Sequence, residues 1–322
     1  MIVTPPSTSD ALPPLHLGLT PWQFAELSAA SLGEQARFAE ACGYESFWLP
    51  ENHFGENALP DPLMLLASVA GVTSTIRLGT TSYLLTLRNP LQAAEQVAVL
   101  DQLSGGRVIL GVGRGYAPDM LKAFNVPPAQ KRRIFAWTLG LMRDAWAGRP
   151  VSLDDDTEHA IEVHPRPLQT PEPPLWVAAF GPKALRQAGT LGLPYLCSPM
   201  ESLATLEANY RTHAQAAEEA EIAVPAVVPL MRTVFVSEDA AQLSRIRGEL
   251  EARVDNARLQ EGETVDDWTI VGTPAQVAEK VAQYRERLGM THMVATRLRI
   301  GGIEDAVLRD SVALLADLLG RG

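Results

Sequence analysis

Eight short apolar runs, each separated from the next by a stretch with helical periodicity, constrain this chain more than any other feature. The runs are HLGL (16 to 19), SFWL (46 to 49), IRLGT (76 to 80), RVILGV (107 to 112), PLWVAA (174 to 179), PYLC (194 to 197), RTVFV (232 to 236) and HMVAT (292 to 296). Runs of four to six apolar residues bounded by turn formers are strand-like, and strands alternating with helices build a parallel sheet. The helical stretches support this. In QVAEKVAQYRERL, Val277, Val281, Tyr284 and Leu288 recur at spacings of four, three and four, which puts them on one face. Thr273 and Pro274 before it are a cap and a first-turn proline, and Gly289 after it is a stop.

Eight such units predict a closed (β/α)8 TIM barrel, because closure hides the edges that an open sheet exposes. A doubly wound open sheet is the alternative. Two stretches do not fit the repeat: residues 113 to 130, and the proline- and acid-rich residues 149 to 174, where IEV is a candidate extra strand. Both read as insertions on the barrel rim. Residues 1 to 13 read as a loose N-terminal leader, and 14 to 322 as a single domain, since no stretch has the composition of a linker.

Charge and cysteine content narrow the function. The 27 Lys and Arg against 38 Asp and Glu leave a net charge of −11, which disfavours nucleic acid and anionic membranes as partners and favours a small-molecule substrate. Two cysteines, Cys42 and Cys197, build no disulfide framework, so the expected location is the reducing cytoplasm. The beginning of the chain lacks signal-peptide regions, and no apolar run reaches the roughly 18 residues of a membrane span. Metal chemistry is not expected: there is no H-E-x-x-H, and His159 and His164 read as part of a solvated acidic loop. No G-x-S-x-G marks a nucleophile.

In a barrel of this kind ligands lie at the C-terminal ends of the strands. After the fourth run, the sequence RVILGVGRGYAP places glycines at 111, 113 and 115 around Arg114. It is not a dinucleotide fingerprint. The third glycine comes one position early, Pro118 interrupts the first turn, and Lys131 to Arg133 follow where an acid would be needed. Residues 107 to 133 hold six basic side chains and one acid, a local excess of positive charge in an acidic chain. Gly111, Gly113 and Gly115 open the backbone to a flat or bulky ligand, while Arg114, with Arg132, is suited to grip a phosphate. After the fifth run, Ala179, Phe180, Gly181 and Lys183 surround a helix start with Pro182 in its first turn, whose N–H groups can hold an anion. After the second, Glu51, Asn52 and His53 follow a buried strand, and His53 can exchange protons near neutrality. After the third, Thr80, Thr81 and Ser82 offer hydroxyls to a pocket. Trp22, Phe54, Tyr116 and Met200 are candidate apolar walls.

The run ESFWLPENHFG, the stretch from IRLGTTSYLL to GVGRGY, and then PPLWVAAFGPKALRQAG and VGTPAQVAEKV together resemble the bacterial luciferase-like flavin monooxygenases. The resemblance covers most of residues 14 to 300, in order. It implies a barrel that binds FMN, or in one branch coenzyme F420, with Arg114 and Arg132 on the phosphate and Gly181 and Lys183 at the phosphate-binding helix start. It also implies a non-proline cis peptide at Thr81 and Ser82 behind the flavin ring. Of the two histidines that luciferase carries after the acid, the first is replaced by Asn52, which cannot take a proton; luciferase's reactive cysteine corresponds to Gly113. Long-chain aldehyde oxidation with light emission is therefore not expected. The implied function is a flavin-dependent oxidoreductase, a two-component monooxygenase supplied with reduced FMN by a flavin reductase and working as a homodimer, with catalytic roles for His53 and Asn52. An F420-dependent reductase or dehydrogenase is the alternative, and a noncatalytic flavin-binding subunit the second.

Overall fold

The computed structural model describes residues 13 to 24, 28 to 154, 159 to 253 and 262 to 320. Apart from Pro13, the expected leader lies outside the described residues. All eight apolar runs form strands: β1 (His16–Leu19), β2 (Ser46–Leu49), β3 (Arg77–Thr80), β5 (Val108–Gly113), β6 (Leu175–Ala178), β7 (Tyr195–Leu196), β8 (Pro229–Val236) and β10 (His292–Thr296). Two strands were not anticipated, β4 (Tyr83–Leu84) and β9 (Thr269–Gly272). The expected IEV strand is a single antiparallel bridge between Val151 and Ile161.

The helices begin and end where their capping chemistry dictates. In α3 (Pro90–Ser104), the Asn89 side chain accepts from the N–H groups of Leu91 and Gln92, and Gly105 closes the helix at φ 69°. In α10 (Pro274–Leu288), Thr273 and Gln276 form a reciprocal capping box, and Gly289 at φ 68° ends the helix. Val277, Val281 and Tyr284 are its buried face.

Every strand pairing is parallel, in the order β7-β6-β5-β3-β2-β1-β10-β8-β9, with β4 added against β5. Parallel strands crossed by helices curl this sheet into a half-barrel. The backbone ladder does not run between β7 and β8, so the complete hydrogen-bonded ring expected from the sequence is not formed. The physical reason lies in the partners. β7 is only two residues long, and the second half of β8 is paired with β9. Side chains make the join instead. The Cys197 sulfur accepts from the Met231 N–H at 3.3 Å, and the hydroxyl of Tyr210, on α7 (Leu203–Glu219), donates to the Pro229 carbonyl at 2.7 Å. Arg232, fully buried, donates to the carbonyls of Ser198, Met231 and Glu201 and to the Tyr284 hydroxyl.

Aromatic rings pack across the strands. Trp48 stacks on Trp176 at 4.8 Å, and Trp176 meets the His292 ring edge-on at 5.2 Å. The indole of Trp48 needs the bare backbone of Gly79, where an added Cβ would lie 2.1 Å from the ring. Trp22, expected as a pocket wall, is buried and lines a small cavity with Leu19, Tyr44 and Leu298: its indole N–H donates to Asp305 at the start of α11 (Asp305–Leu319), and its ring packs edge-on against Phe38.

Candidate functional site

The C-terminal ends of β2, β3, β4, β5 and β6 bring together most of the residues singled out in the sequence, and the detail explains the glycines of RVILGVGRG. Between β3 and β4 the chain jogs through a cis Thr81–Ser82 peptide bond, as the resemblance implies. β5 pairs with β3 at Val108 and Ile109, then with β4 at Val112 and Gly113. The jog presses into β5 at its glycines. A Cβ on Gly111 would stand 2.0 Å from the Thr80 carbonyl oxygen, and one on Gly113 would stand 2.1 Å from the Ser82 hydroxyl. Gly111 and Gly113 therefore make room for the chain's own strand end rather than for a ligand. Gly115 is needed for a second reason, its φ of 69°, a conformation side chains resist. The Thr80 hydroxyl is likewise committed, donating to the Gly111 carbonyl at 2.7 Å, and Thr80 is fully buried. Thr81 is half-buried and Ser82 buried.

Arg114 points inward. It is 6% exposed, and its guanidinium donates to the Gln187 side chain at 2.8 Å, the Ala178 carbonyl at 3.0 Å and the Ala184 carbonyl at 3.5 Å. Its flat face lies 4.4 Å from the Phe135 ring centroid. All of these acceptors are neutral, and none of the described residues forms an ion pair with it. Burial, and secondarily the neighbouring Arg132, bring its pKa down to about 10. A buried guanidinium without a carboxylate is costly unless an anion completes the site.

The surroundings suit one. Gln187 lies on α6 (Pro182–Thr190), whose cap residue Gly181 stands at φ 76° in open space and makes no side-chain capping bond. Gln187 also donates to the Arg132 carbonyl at 3.0 Å, tying α6 to the start of α5 (Lys131–Trp146), and Lys131 reaches the Gly115 carbonyl. Arg132 and Lys183 are exposed, whereas Ala179 is buried and has only backbone to offer. These residues fit a phosphate: one buried cation held by neutral acceptors, an uncapped helix start and two mobile-length cations at the rim. Phe180 stands at the same edge, edge-on to Tyr116 at 6.3 Å.

The second half of the site is organised by Glu51. Its carboxylate is fully buried and accepts from Arg88 at 2.8 Å, from the His53 Nε2 position at 2.9 Å and from the Leu84 N–H at 2.9 Å. Arg88 in turn lies over the Tyr83 ring. The arrangement fixes His53 in place, with Nε2 engaged by the carboxylate. Asn52, expected in a catalytic role, is exposed; its side-chain oxygen accepts from the Leu59 N–H at 2.7 Å, and its own N–H donates to the Leu59 carbonyl. It pins a loop. The segment from Leu84 to Thr86 connects the two halves, since Leu84 donates to Glu51 while the Thr86 hydroxyl donates to the Arg114 carbonyl at 2.8 Å.

Sequence reading missed Gln187, Arg88 and Phe135. Gln187 and Phe135 carry no local signal, because each acquires its role only when distant helices meet at Arg114. Arg88 likewise carries no local signal, since it stands 37 positions from Glu51 and meets it only in the fold.

The fold and this cation-lined mouth define a parallel α/β protein able to hold an anionic ligand at its strand ends. The family follows from comparison. The Luciferase-like monooxygenase family profile matches residues 16 to 292, and the chain belongs to that family. Its relatives include both monooxygenases and F420-dependent enzymes. It is 31% identical over 314 residues to an F420-dependent glucose-6-phosphate dehydrogenase of Kineococcus radiotolerans, covering 87% of this chain and 90% of that protein. It is 26% identical over 203 residues to the alkanal monooxygenase alpha chain of Photorhabdus laumondii, covering 62% of this chain and 56% of that one. Among solved structures, the FMN complex of the oxygenating constituent of 3,6-diketocamphane monooxygenase from Pseudomonas putida superposes with a TM-score of 0.78 over 95% of this chain and 97% of that one, at 19% identity, a likeness of fold. The chain spans between about half and two thirds of the length of several curated relatives it matches.

Proposed function

We propose that the protein is a flavin-dependent oxidoreductase that uses reduced FMN, delivered by a separate flavin reductase, to oxygenate a small organic substrate. The observation that carries this reading is the buried Arg114 guanidinium, held only by neutral acceptors beside the uncapped start of α6. Bound there, FMN would supply the electrons and the reaction with oxygen.

The chain's own residues have separate tasks. Arg114, oriented by Gln187, meets the phosphate, with Arg132, Lys183 and the N–H groups after Gly181 around it. Thr81, Ser82 and the backbone of Gly113 and Gly115 form the wall against which the ring is positioned. Ala179 and Phe180 close the other edge. His53, set by Glu51, holds or moves a proton at the ring nitrogen that no described residue engages, and Asn52 keeps the adjoining loop in register. The same reading places the enzyme in the cytoplasm as a homodimer.

A second reading is an F420-dependent dehydrogenase that transfers hydride without oxygen. It is favoured by the dehydrogenase relative that aligns over nearly the whole chain, and by exposed Lys122, Arg132 and Arg133, which suit an acidic cofactor tail. Absorbance titration of the purified protein with FMN and with F420, followed by oxygen uptake with the reduced cofactor, separates the two. Saturable FMN binding and oxygen consumption are expected; saturation by F420 alone would transfer the assignment to the dehydrogenase.

A further inference from the structure

Next to His53 the chain exposes aromatic surface that its own packing does not use. Phe54 is 70% exposed and Phe124 37%. Their rings stack at 5.8 Å with 24° between planes, and Phe124 also meets His53 edge-on at 4.9 Å. Phe54 takes φ 68°, a left-handed conformation that bulky side chains avoid at a cost of about 1 kcal/mol or more. The chain thus accepts a backbone penalty to hold a phenyl ring outward, where the hydrophobic effect opposes it. A loop with no task for that ring would place glycine or asparagine there.

Phe124 and His53, on which the Phe54 ring leans, are each anchored. Phe124 ends α4 (Pro118–Ala123), whose Met120 and Leu121 are buried against Leu84 and Val126. His53 is fixed by Glu51, which is itself bonded to the Leu84 N–H. Phe124 and His53 are therefore both referred to β4, directly after the Thr81–Ser82 jog, and Phe54 stacks on Phe124. Exposed polar residues Asn52, Glu56, Lys122 and Asn125 flank the two phenylalanines in sequence, and an exposed apolar patch of this kind among polar residues marks a candidate ligand seat.

We propose that the Phe54 and Phe124 rings, backed by His53, seat a hydroxylated aromatic substrate. Flat rings gain from offset and edge-on stacking beyond the area they bury, which an aliphatic chain does not. His53 has one nitrogen on Glu51, and among the described residues its other nitrogen has no partner, so it can accept from a phenolic hydroxyl. The seat deepens the oxidoreductase reading, which supplies the reaction; the binding itself is testable without it.

The test is calorimetric titration of the full chain with 2-naphthol and with decanal, in the presence and absence of FMN, for the wild type and for a Phe54→Leu, Phe124→Leu double variant. Leucine keeps apolar bulk and removes the rings. The wild type is expected to bind 2-naphthol more tightly than decanal, and the variant to lose about tenfold for 2-naphthol and less than twofold for decanal, with unchanged FMN affinity and melting temperature. Equal loss for both probes, no 2-naphthol binding by the wild type, or a parallel loss of FMN affinity would overturn the proposal. So would dissociation of an oligomer by the double variant at the same protein concentration, which would make the rings a contact between copies. Failure of FMN to bind the wild type, with 2-naphthol behaving as expected, would remove the cofactor reading and leave the seat standing.

Discussion

The Ser82 hydroxyl occupies the space that a side chain at position 113 would need, 2.1 Å from where the Cβ would stand. Strand β5 is therefore shaped by the jog between β3 and β4, and the wall proposed for the flavin ring is built from two segments 31 positions apart that fit only while residue 113 is glycine. Gly113→Ala is expected to destabilise the fold by about 2 kcal/mol, the usual cost of overpacking a tight site. Ser82→Gly should recover part of that loss when combined with it, because the clash is with the Ser82 side chain. Additive losses in a double-mutant cycle, measured by chemical denaturation, would show that the two positions do not oppose each other.

Glu51 is expected to matter more to His53 than to the fold at large. Glu51→Gln removes the charge that Arg88 and His53 share while keeping a side chain of similar size, so a loss of about 1 to 3 kcal/mol is expected. His53→Ala leaves that core pairing intact; it should slow turnover by at least tenfold with FMN affinity unchanged. Turnover equal to wild type would take His53 out of the chemistry.

The stacked His16 and His292 rings, 4.4 Å apart, make stability dependent on pH. Burial, and then the neighbouring His16 and Arg77, hold the His292 pKa down at about 4 from its ordinary 6.5. A depressed histidine pKa means that the unfolded chain binds the proton more readily than the folded one. Its contribution is fully present above pH 6.5 and is lost as the pH falls from there toward 4. Denaturation midpoints of His292→Asn and wild type should therefore converge over that interval. A constant difference between them would contradict the assignment.

Much of the fold is written in local pattern. The eight apolar runs and the caps at Asn89, Thr273 and Gly289 appear in the structure because each depends on residues within a few positions of itself. The interrupted ring was not readable, because it depends on β7 being cut to two residues and on β9 taking the far half of β8. Arg114 stands out in the sequence through the inverted charge around it, but the partners that hold it in the structure, Gln187 and Phe135, arrive from separate helices. Thr80 was misread because a polar side chain beside a strand end can satisfy the backbone as easily as a ligand, and here the Gly111 carbonyl claims it; the Asn52 side-chain oxygen is likewise engaged, by the Leu59 N–H. The glycines at 111 and 113 were read as openings when they are filled from the neighbouring strand.

The central claim is that Arg114 waits for the phosphate of a flavin, and equilibrium titration with FMN of the wild type and Arg114→Ala tests it most directly. A lost charged hydrogen bond of about 1.5 to 3 kcal/mol predicts affinity lower by about ten- to 150-fold, with the fold retained. Equal affinity in the two proteins would contradict it.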